Sequence, residues 1–284
     1  MAGLTEAAPA KVNLFLHVIG RRPDGYHLLD SLAVFPPVGD ELSAELSETL
    51  SMSVEGPFAA ALQDEPSNLV LRAARALADA AHVHAGARMV LRKNLPVASG
   101  IGGGSTDAAA TLRILGTLWQ IPHDPRFLAR VAIGLGADVP VCLAACSSRM
   151  GGIGELVQPA PLIPQCGILL VNPGVAVATK DVFGRRSAPW SLPARLPLAW
   201  PNAEAMATDL TRLRNDLEPA AMAIQPAIAD VLVSLSATPN CLMARMSGSG
   251  ATCFALYPDV DAAKQALSLV DRPGWWCWSG PLIR

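Results

Sequence analysis

A run of four glycines within five positions constrains this chain more than any other feature. The segment reads Gly100-Ile-Gly-Gly-Gly-Ser-Thr-Asp107, and an apolar helical pattern follows it to Trp119. Glycine has no Cβ, so several backbone N–H groups of such a loop can point to one side. A helix start adds N–H groups without intrahelical partners and the positive end of the helix dipole. The segment therefore predicts an anion site for a phosphate chain, with a helix over 107–119.

The predicted phosphate loop extends on both sides of the glycines. It comprises Pro96, Val97, Ala98, Ser99, Gly100, Ile101, Gly102, Gly103, Gly104, Ser105 and Thr106. The hydroxyls of Ser105 and Thr106 are candidates to reach a phosphate oxygen or a bound Mg²⁺. The alternative is a flexible turn in which Thr106 or Asp107 caps the helix, although a tight turn needs only one or two glycines. P-loop and Rossmann patterns are excluded, because no lysine follows the glycines and the third Rossmann glycine is replaced by Ser105.

Composition and charge restrict the partners. Of the 284 residues, 51% are hydrophobic and 16% charged, which excludes an intrinsically disordered chain. With 22 basic and 24 acidic residues the net charge is −2, so neither a nucleic acid nor a membrane surface is an expected partner. The six cysteines form no CxxC pair, which favours reduced core thiols. No signal peptide or membrane span is recognised, so we expect a soluble cytoplasmic protein.

Helical and extended patterns are mixed without regular βαβ alternation, which favours an α+β protein of two domains. The proline-rich stretch from Leu156 to Pro164 is the best candidate boundary, and it divides the chain into domains 1–156 and 157–284. The pattern predicts strands at 12–19, 28–35, 41–46, 50–54, 88–95, 166–171, 241–245 and 252–257. It predicts helices at 68–81, 107–119, 127–135, 203–213, 220–235 and 261–270.

The first predicted strand carries polar residues on an otherwise apolar segment. Strict alternation over Val12–Ile19 puts Lys11, Asn13, Phe15 and His17 on one face. A turn is predicted directly after it at 21–25, where Pro, Asp and Gly cluster.

Three motifs, in this order along the chain, resemble those of the GHMP kinases (galactokinase, homoserine kinase, mevalonate kinase and relatives). They are Pro9-Ala-Lys-Val-Asn-Leu14, the glycine loop, and Met246-Ser-Gly-Ser-Gly-Ala-Thr252. The resemblance implies a two-domain GHMP-kinase fold, ATP as phosphoryl donor, Mg²⁺, and an active site in the cleft between the domains. It also implies that the third motif is a second glycine turn that supports the phosphate loop.

Further stretches narrow the resemblance to one group of these kinases. They are Ala10–Leu16, Arg22–His27, Leu135–Pro140, Gly151–Glu155, Asn172–Val175 and Asn215–Glu218. The match implies ATP-dependent phosphorylation of the 2-hydroxyl of a cytidine diphosphate-linked methylerythritol. The expected state is a monomer or a homodimer, between which the sequence does not decide. Rival interpretations are a GHMP kinase acting on homoserine or a mevalonate, a nucleotide-binding regulatory protein without turnover, and a nucleic-acid-binding module, which the charge disfavours.

The resemblance also assigns roles to single residues. Asp138 becomes the catalytic base and Lys11 its cationic partner, while Asn13 would orient the acceptor hydroxyl. By composition alone Asp138 is a turn or capping residue, and Lys11 an edge-strand lysine that extends to water.

The substrate-binding candidates would contact the base, the diphosphate and the acceptor group of the substrate. Tyr26 and Phe183 would stack on cytosine, His27 would read its edge, Thr179 would meet the diphosphate, and Asp138 would contact the acceptor. The other three lysines, Lys93, Lys180 and Lys264, receive no role.

Overall fold

A computed structural model describes residues 3–62, 68–122 and 124–282 of the chain. In these residues the strands are β1 (Leu4–Pro9), β2 (Val12–Arg21), β3 (His27–Val34), β4 (Gly39–Ser47), β5 (Ser51–Glu55), β6 (Gly86–Arg92), β7 (Ser148–Gly151), β8 (Leu156–Pro159), β9 (Cys166–Asn172), β10 (Met243–Met246), β11 (Cys253–Tyr257) and β12 (Trp276–Leu282). The α-helices are α1 (Leu69–Ala81), α2 (Gly103–Leu118), α3 (Pro125–Leu135), α4 (Val139–Ala144), α5 (Thr179–Arg185), α6 (Ala203–Thr211), α7 (Glu218–Ile224), α8 (Ala227–Ser236) and α9 (Val260–Val270). A short 3₁₀ helix covers Ala59–Leu62.

The chain divides into two compact units built from interleaved segments. The first unit comprises Met1–Ala10, Gly39–Val97 and Gly102–Ala145, and the second comprises Lys11–Val38, Ala98–Ile101 and Cys146–Arg284. The predicted division at 156/157 does not coincide with a border of these units, because β2 pairs with β3 and β3 pairs with β7, so that all three strands lie in the second unit. The division into sequence domains 1–156 and 157–284 stays a prediction.

The first unit is a four-stranded sheet with helices on it. The strand order is β1-β4-β6-β5, antiparallel except for the parallel pair β5 and β6. Helix α2 packs against β1, β4, α1 and α4. Its buried residues include Leu112 and Leu115, and the sheet contributes Leu42, Met89 and Leu91. Burial of these apolar side chains fixes α2, and with it the glycine segment at its start.

The second unit contains two four-stranded sheets and the remaining helices. The strand orders are β2-β3-β7-β8 and β10-β11-β9-β12, and all pairs are antiparallel. One core joins β2, β9 and β11 to α8 and α9, with Val18, Val171, Tyr257 and Ile228 fully buried. Together the two units confirm the α+β class.

Two helices differ from their predicted bounds for local reasons. Helix α2 begins at Gly103 rather than at Asp107, because Gly102 takes the left-handed conformation (φ +69°) and so starts the helix inside the glycine run. The single helix predicted over 220–235 is wrong. Pro226 lacks an N–H and disfavours helical geometry at Gln225, so α7 ends and α8 begins there.

The face assignment on β2 is also wrong. The pairing register shifts between Asn13 and Phe15, where Asn13 opposes Ala33 but Phe15 already opposes Leu32. This β-bulge puts an extra residue into β2 and reverses the alternation. Asn13 therefore shares a face with Ser31, to which it is hydrogen-bonded, and not with Phe15 or His17.

The structure bears on the expectations about the cysteines and about membrane spans. All six cysteines lie in the described segments and are free, but the expected core location is wrong for Cys146, which is exposed. Across residues 3–62, 68–122 and 124–282, no helix is both long and apolar enough to span a bilayer.

Candidate active site

The N terminus of α2 forms the open part of the glycine loop. Gly102, which has no side chain to cap the helix, occupies the N-cap position. A Cβ on Gly104 would meet no atom within 4 Å, so space lies open beside the first turn. Thr106 is buried and its Oγ1 donates to the carbonyl oxygen of Gly103 (2.9 Å), whereas Ser105 is partly exposed. The capping role considered for Thr106 or Asp107 is wrong, and the bare helix start fits a phosphate group.

Within the second unit the two glycine segments touch backbone to backbone. A Cβ on Gly100 would lie 2.5 Å from the carbonyl oxygen of Ser247, and one on Gly248 would lie 2.7 Å from that of Gly100. Both glycines have positive φ, +76° and +54°. Ser247 Oγ donates to the Gly100 carbonyl (3.0 Å) and accepts from the N–H of Asn13 (3.1 Å). The 246–252 turn therefore lies directly against the Gly100 end of the loop, as the resemblance implies.

The Asn215–Glu218 motif holds this second glycine turn from behind. Asn215 Nδ2 donates to the carbonyl oxygens of Met246 and Gly248, both at 2.8 Å. Glu218 Oε2 accepts from the N–H of Met246 at 2.8 Å. The carboxylate of Asp216 accepts instead from the N–H of Val18 in β2 (2.7 Å). The motif thus fixes the turn and β2 relative to each other.

Lys11 and Asn13 are buried beside these segments. Lys11 is 3% exposed and its N–H donates to the carbonyl of Ile101 (2.8 Å). The alternative of an edge lysine that extends to water is therefore wrong. Asn13 Nδ2 donates to Ser31 Oγ (2.7 Å), while its Oδ1 is buried and finds no hydrogen-bond partner in the part of the chain that the structure describes. That oxygen is suited to accept from a ligand hydroxyl.

Asp138 belongs to the first unit and immediately precedes α4. Helix α3 ends at Leu135, and the N–H of Val139 donates to the carbonyl of Gly136 (3.1 Å), which forms the predicted turn. The carboxylate is partly buried. The two residues with predicted catalytic roles thus come from different units, and their cooperation stays a prediction.

The base-binding candidates gather at the end of the turn after β2. The rings of His27 and Phe183 stack with centroids 4.8 Å apart and planes at 23°. Tyr26, 58% exposed, projects from the turn itself. Burial, and then the charges of Arg21 and Arg186, lower the pKa of His27 below its ordinary 6.5. A neutral imidazole at neutral pH is suited to hydrogen bonding with an uncharged base.

Helix α5 connects this ring pair to the second glycine turn. Thr179, its first residue, shares a hydrogen bond with Ser249 Oγ at 2.8 Å. Phe183 lies four residues further, on the same side of the helix. The structure thus brings Thr179, Phe183 and His27 into one continuous group.

Sequence reasoning missed several residues of this site. Ser247 stands out in the sequence only as part of a motif, and its side-chain contacts have no sequence signal. Trp190 lies 6.1 Å from His27 between ring centroids, and the Arg186 guanidinium lies 4.8 Å over the Trp190 ring. Both lie in the irregular Pro-rich segment that follows α5, where no periodic pattern draws attention to them.

The comparisons with known proteins agree with this geometry. Residues 68–145 match the model of the GHMP kinases N terminal domain, and residues 198–273 match the GHMP kinases C terminal model. A protein of Gluconacetobacter diazotrophicus named 4-diphosphocytidyl-2-C-methyl-D-erythritol kinase is 52% identical to this chain, over 98% of the chain and 95% of the relative. The chain belongs to the GHMP kinase family. A relative of the same name from Paramagnetospirillum magneticum is 49% identical over the full length of both proteins.

Solved structures give the same result for the fold. A crystal structure of 4-(cytidine 5'-diphospho)-2C-methyl-D-erythritol kinase has a TM-score of 0.81 and 32% identity, with 98% of each chain covered. Homoserine kinase from Cytophaga hutchinsonii has a TM-score of 0.69 at 19% identity, over 100% of this chain and 95% of its own, and shows the fold alone.

Proposed function

We propose that this GHMP kinase transfers the γ-phosphoryl group of ATP to the 2-hydroxyl of 4-diphosphocytidyl-2-C-methyl-D-erythritol, in the methylerythritol phosphate route to isoprenoids. The full-length likeness to kinases of that name carries the proposal. The stacked pair of His27 and Phe183 beside the exposed Tyr26 supports a flat base as part of the acceptor. A cytoplasmic location and a monomer or homodimer belong to the same proposal.

The donor half of the reaction uses the helix start. The N–H groups at Gly103, Gly104 and Ser105 would bind the ATP phosphates, because the first turn of a helix offers donors and a positive dipole end. Ser105 is the better of the two hydroxyl candidates for Mg²⁺, since the hydroxyl of Thr106 is already donated to the helix backbone. When bound, Mg²⁺ supplies neutralisation of the phosphate charge.

In the acceptor half of the reaction, one residue accepts the hydroxyl proton and another stabilises the developing negative charge. The Asp138 carboxylate takes the proton of the 2-hydroxyl as its oxygen attacks the γ-phosphorus, and the bond from that phosphorus to the β-phosphate oxygen breaks to leave ADP. The Lys11 ammonium stabilises the negative charge that develops on the attacking oxygen. Asn13 Oδ1 would accept a hydrogen bond from the 2-hydroxyl and so orient it.

Phosphorus NMR tests the reaction directly. The purified protein with ATP, Mg²⁺ and the cytidine-linked alcohol should give ADP and a new 2-phosphate resonance, and EDTA should stop the reaction. Asp138→Asn and Lys11→Ala should each reduce kcat by about 10²-fold or more while ATP still binds. Equal phosphorylation of homoserine or mevalonate, or no product from the cytidine-linked alcohol, would refute the acceptor.

A further inference from the structure

A buried ion cluster lies beneath the start of α2, outside the groups assigned above. Lys93 Nζ contacts the carboxylates of Asp40 and Asp107, the latter at 2.8 Å. The three side chains are at most 3% exposed. Because a buried ion trio is often no more stable than an apolar replacement, stability alone does not account for it.

The cluster fixes the chain on both sides of the glycine loop. Asp40 Oδ1 accepts from the N–H groups of Asn94 (2.6 Å) and Leu95 (2.8 Å), which directly precede the loop. Asp107 lies in α2, which directly follows it. Lys93 itself is anchored through its backbone, since its N–H donates to the carbonyl of Glu55 at 2.7 Å.

The ammonium also occupies the space beside the first residue of the helix. A Cβ on Gly103 would lie 2.9 Å from Lys93 Nζ and 3.7 Å from Asp40 Oδ2. Gly103 is therefore a glycine partly because the lysine head occupies the space on its inner side. Oδ1 of Asp107 is buried and has no hydrogen-bond partner within residues 3–62, 68–122 and 124–282, so the carboxylate is held through Oδ2 alone.

We infer that Asp40, Lys93 and Asp107 form a clamp that holds the N terminus of α2 where its N–H groups bind the ATP phosphates, so that Lys93 and Asp107 are positioning residues for nucleotide binding. The inference rests on the proposed function in so far as ATP is the ligand. The clamp touches no ligand and acts through the direction of the helix start. It gives a role to a lysine for which sequence reasoning found none.

Variants that separate the clamp from simple stability provide the test. Asp107→Ala removes the bond from Lys93 and should weaken ATP binding about tenfold, whereas Asp107→Asn keeps an acceptor for Lys93 and should stay within about threefold of the unmodified protein. The triple variant Asp40→Asn, Lys93→Met, Asp107→Leu removes all three charges together. We expect near-normal thermal stability but ATP affinity reduced about tenfold.

A matched control tests the same helix at another point. Glu6 pairs with Arg113 of α2 at 2.6 Å and ties the middle of the helix to β1. Glu6→Gln should lower stability slightly and leave ATP affinity and both KM values unchanged. ATP binding is measured by calorimetry with Mg²⁺ and without acceptor, and KM for each substrate by turnover.

The outcomes distinguish the clamp from the proposed reaction. A folded triple variant that binds ATP as tightly as the unmodified protein, or an Asp107→Ala variant that raises both KM values equally, overturns the clamp. Normal ATP binding by the unmodified protein without phosphorylation of the cytidine-linked alcohol overturns the proposed function. The ATP affinities of the variants then still test the clamp. An unmodified protein that does not bind ATP overturns both.

Discussion

The two glycine segments of this protein have similar composition, but Gly104 in the first and Gly248 in the second have opposite surroundings. In the first, Gly104 faces open space at a helix start. In the second, a Cβ on Gly248 would meet the Gly100 carbonyl and one on Gly250 would lie 2.6 Å from Met246 Sδ. At Gly104 the missing side chain leaves open space beside a helix start, whereas at Gly248 it leaves room for a neighbouring backbone. Glycine content alone therefore does not identify a candidate ligand site. The atoms that a Cβ would meet at each glycine distinguish an open position from a packed one.

The largest effect should come from a methyl group in the second turn. Gly248→Ala combines a φ of +54° with a contact of 2.7 Å to the Gly100 carbonyl, so the turn must shift. We expect the free energy of unfolding to fall by about 3 kcal/mol. Urea denaturation measures it, and a loss below about 0.5 kcal/mol would remove the distinction between the segments.

The side chain that joins the two segments should have the next largest effect. Ser247→Ala leaves the Asn13 N–H and the Gly100 carbonyl without the hydroxyl that joins them. The free energy of unfolding should fall by about 2 kcal/mol, because a buried N–H and a partly buried carbonyl lose a partner. Ser279→Ala on β12 provides a serine control in the same unit, and an equal loss there would show that the bridge is not special.

A methyl group in the first segment should affect binding and not folding. Gly104→Ala places a Cβ in space that the ATP phosphates are proposed to use, so ATP affinity should fall about tenfold, or about 1.4 kcal/mol. Stability should stay equal or rise, because alanine is the better helix former. Gly116→Ala on the same helix, also with no atom within 4 Å of a Cβ, is the control and should leave ATP affinity unchanged.

The smallest effect concerns the charge beneath the first segment. Burial and the nearby Asp40 raise the pKa of Asp107 to about 7, despite the Lys93 ammonium. The folded chain thus holds this proton more tightly than the unfolded chain, so stability present below pH 4 is lost as the pH rises through 7. Relative to Asp107→Asn, the unmodified protein should lose about 1 kcal/mol of unfolding free energy between pH 6 and pH 7. A constant difference across that range in denaturant titrations would contradict the raised pKa.

Sequence reasoning succeeded where one local signal decides the structure. The strand over Val12–Ile19 and the helix over 68–81, capped by Asn68, both formed as predicted. The glycine loop stood out because four glycines directly before a helix are more than a tight turn needs. The roles of Lys11 and Asp138 depended on resemblance, because a strand lysine and a turn aspartate carry no chemistry in their local pattern.

The failures share a different physical origin. The bulge at Asn13 and the pairing of β12 with β9 both depend on residues remote in sequence. Lys93 is a clearer example, because its partners lie 53 positions before it and 14 after it. A single sequence does not show which distant groups meet, so a buried cluster is invisible until the fold is known.

The interleaved second unit sets an order of events during synthesis. Strand β2 is made early and pairs with the neighbouring β3, but two further residues that hydrogen-bond it lie far downstream. Asn13 bonds Ser247 across 234 positions and Val18 bonds Asp216 across 198. At roughly 5–20 residues per second, Val18 leaves the ribosome roughly 10 to 40 seconds before Asp216. During that interval β2 lacks part of its final hydrogen bonds and packing, so the second unit is complete only after the C-terminal third has been made.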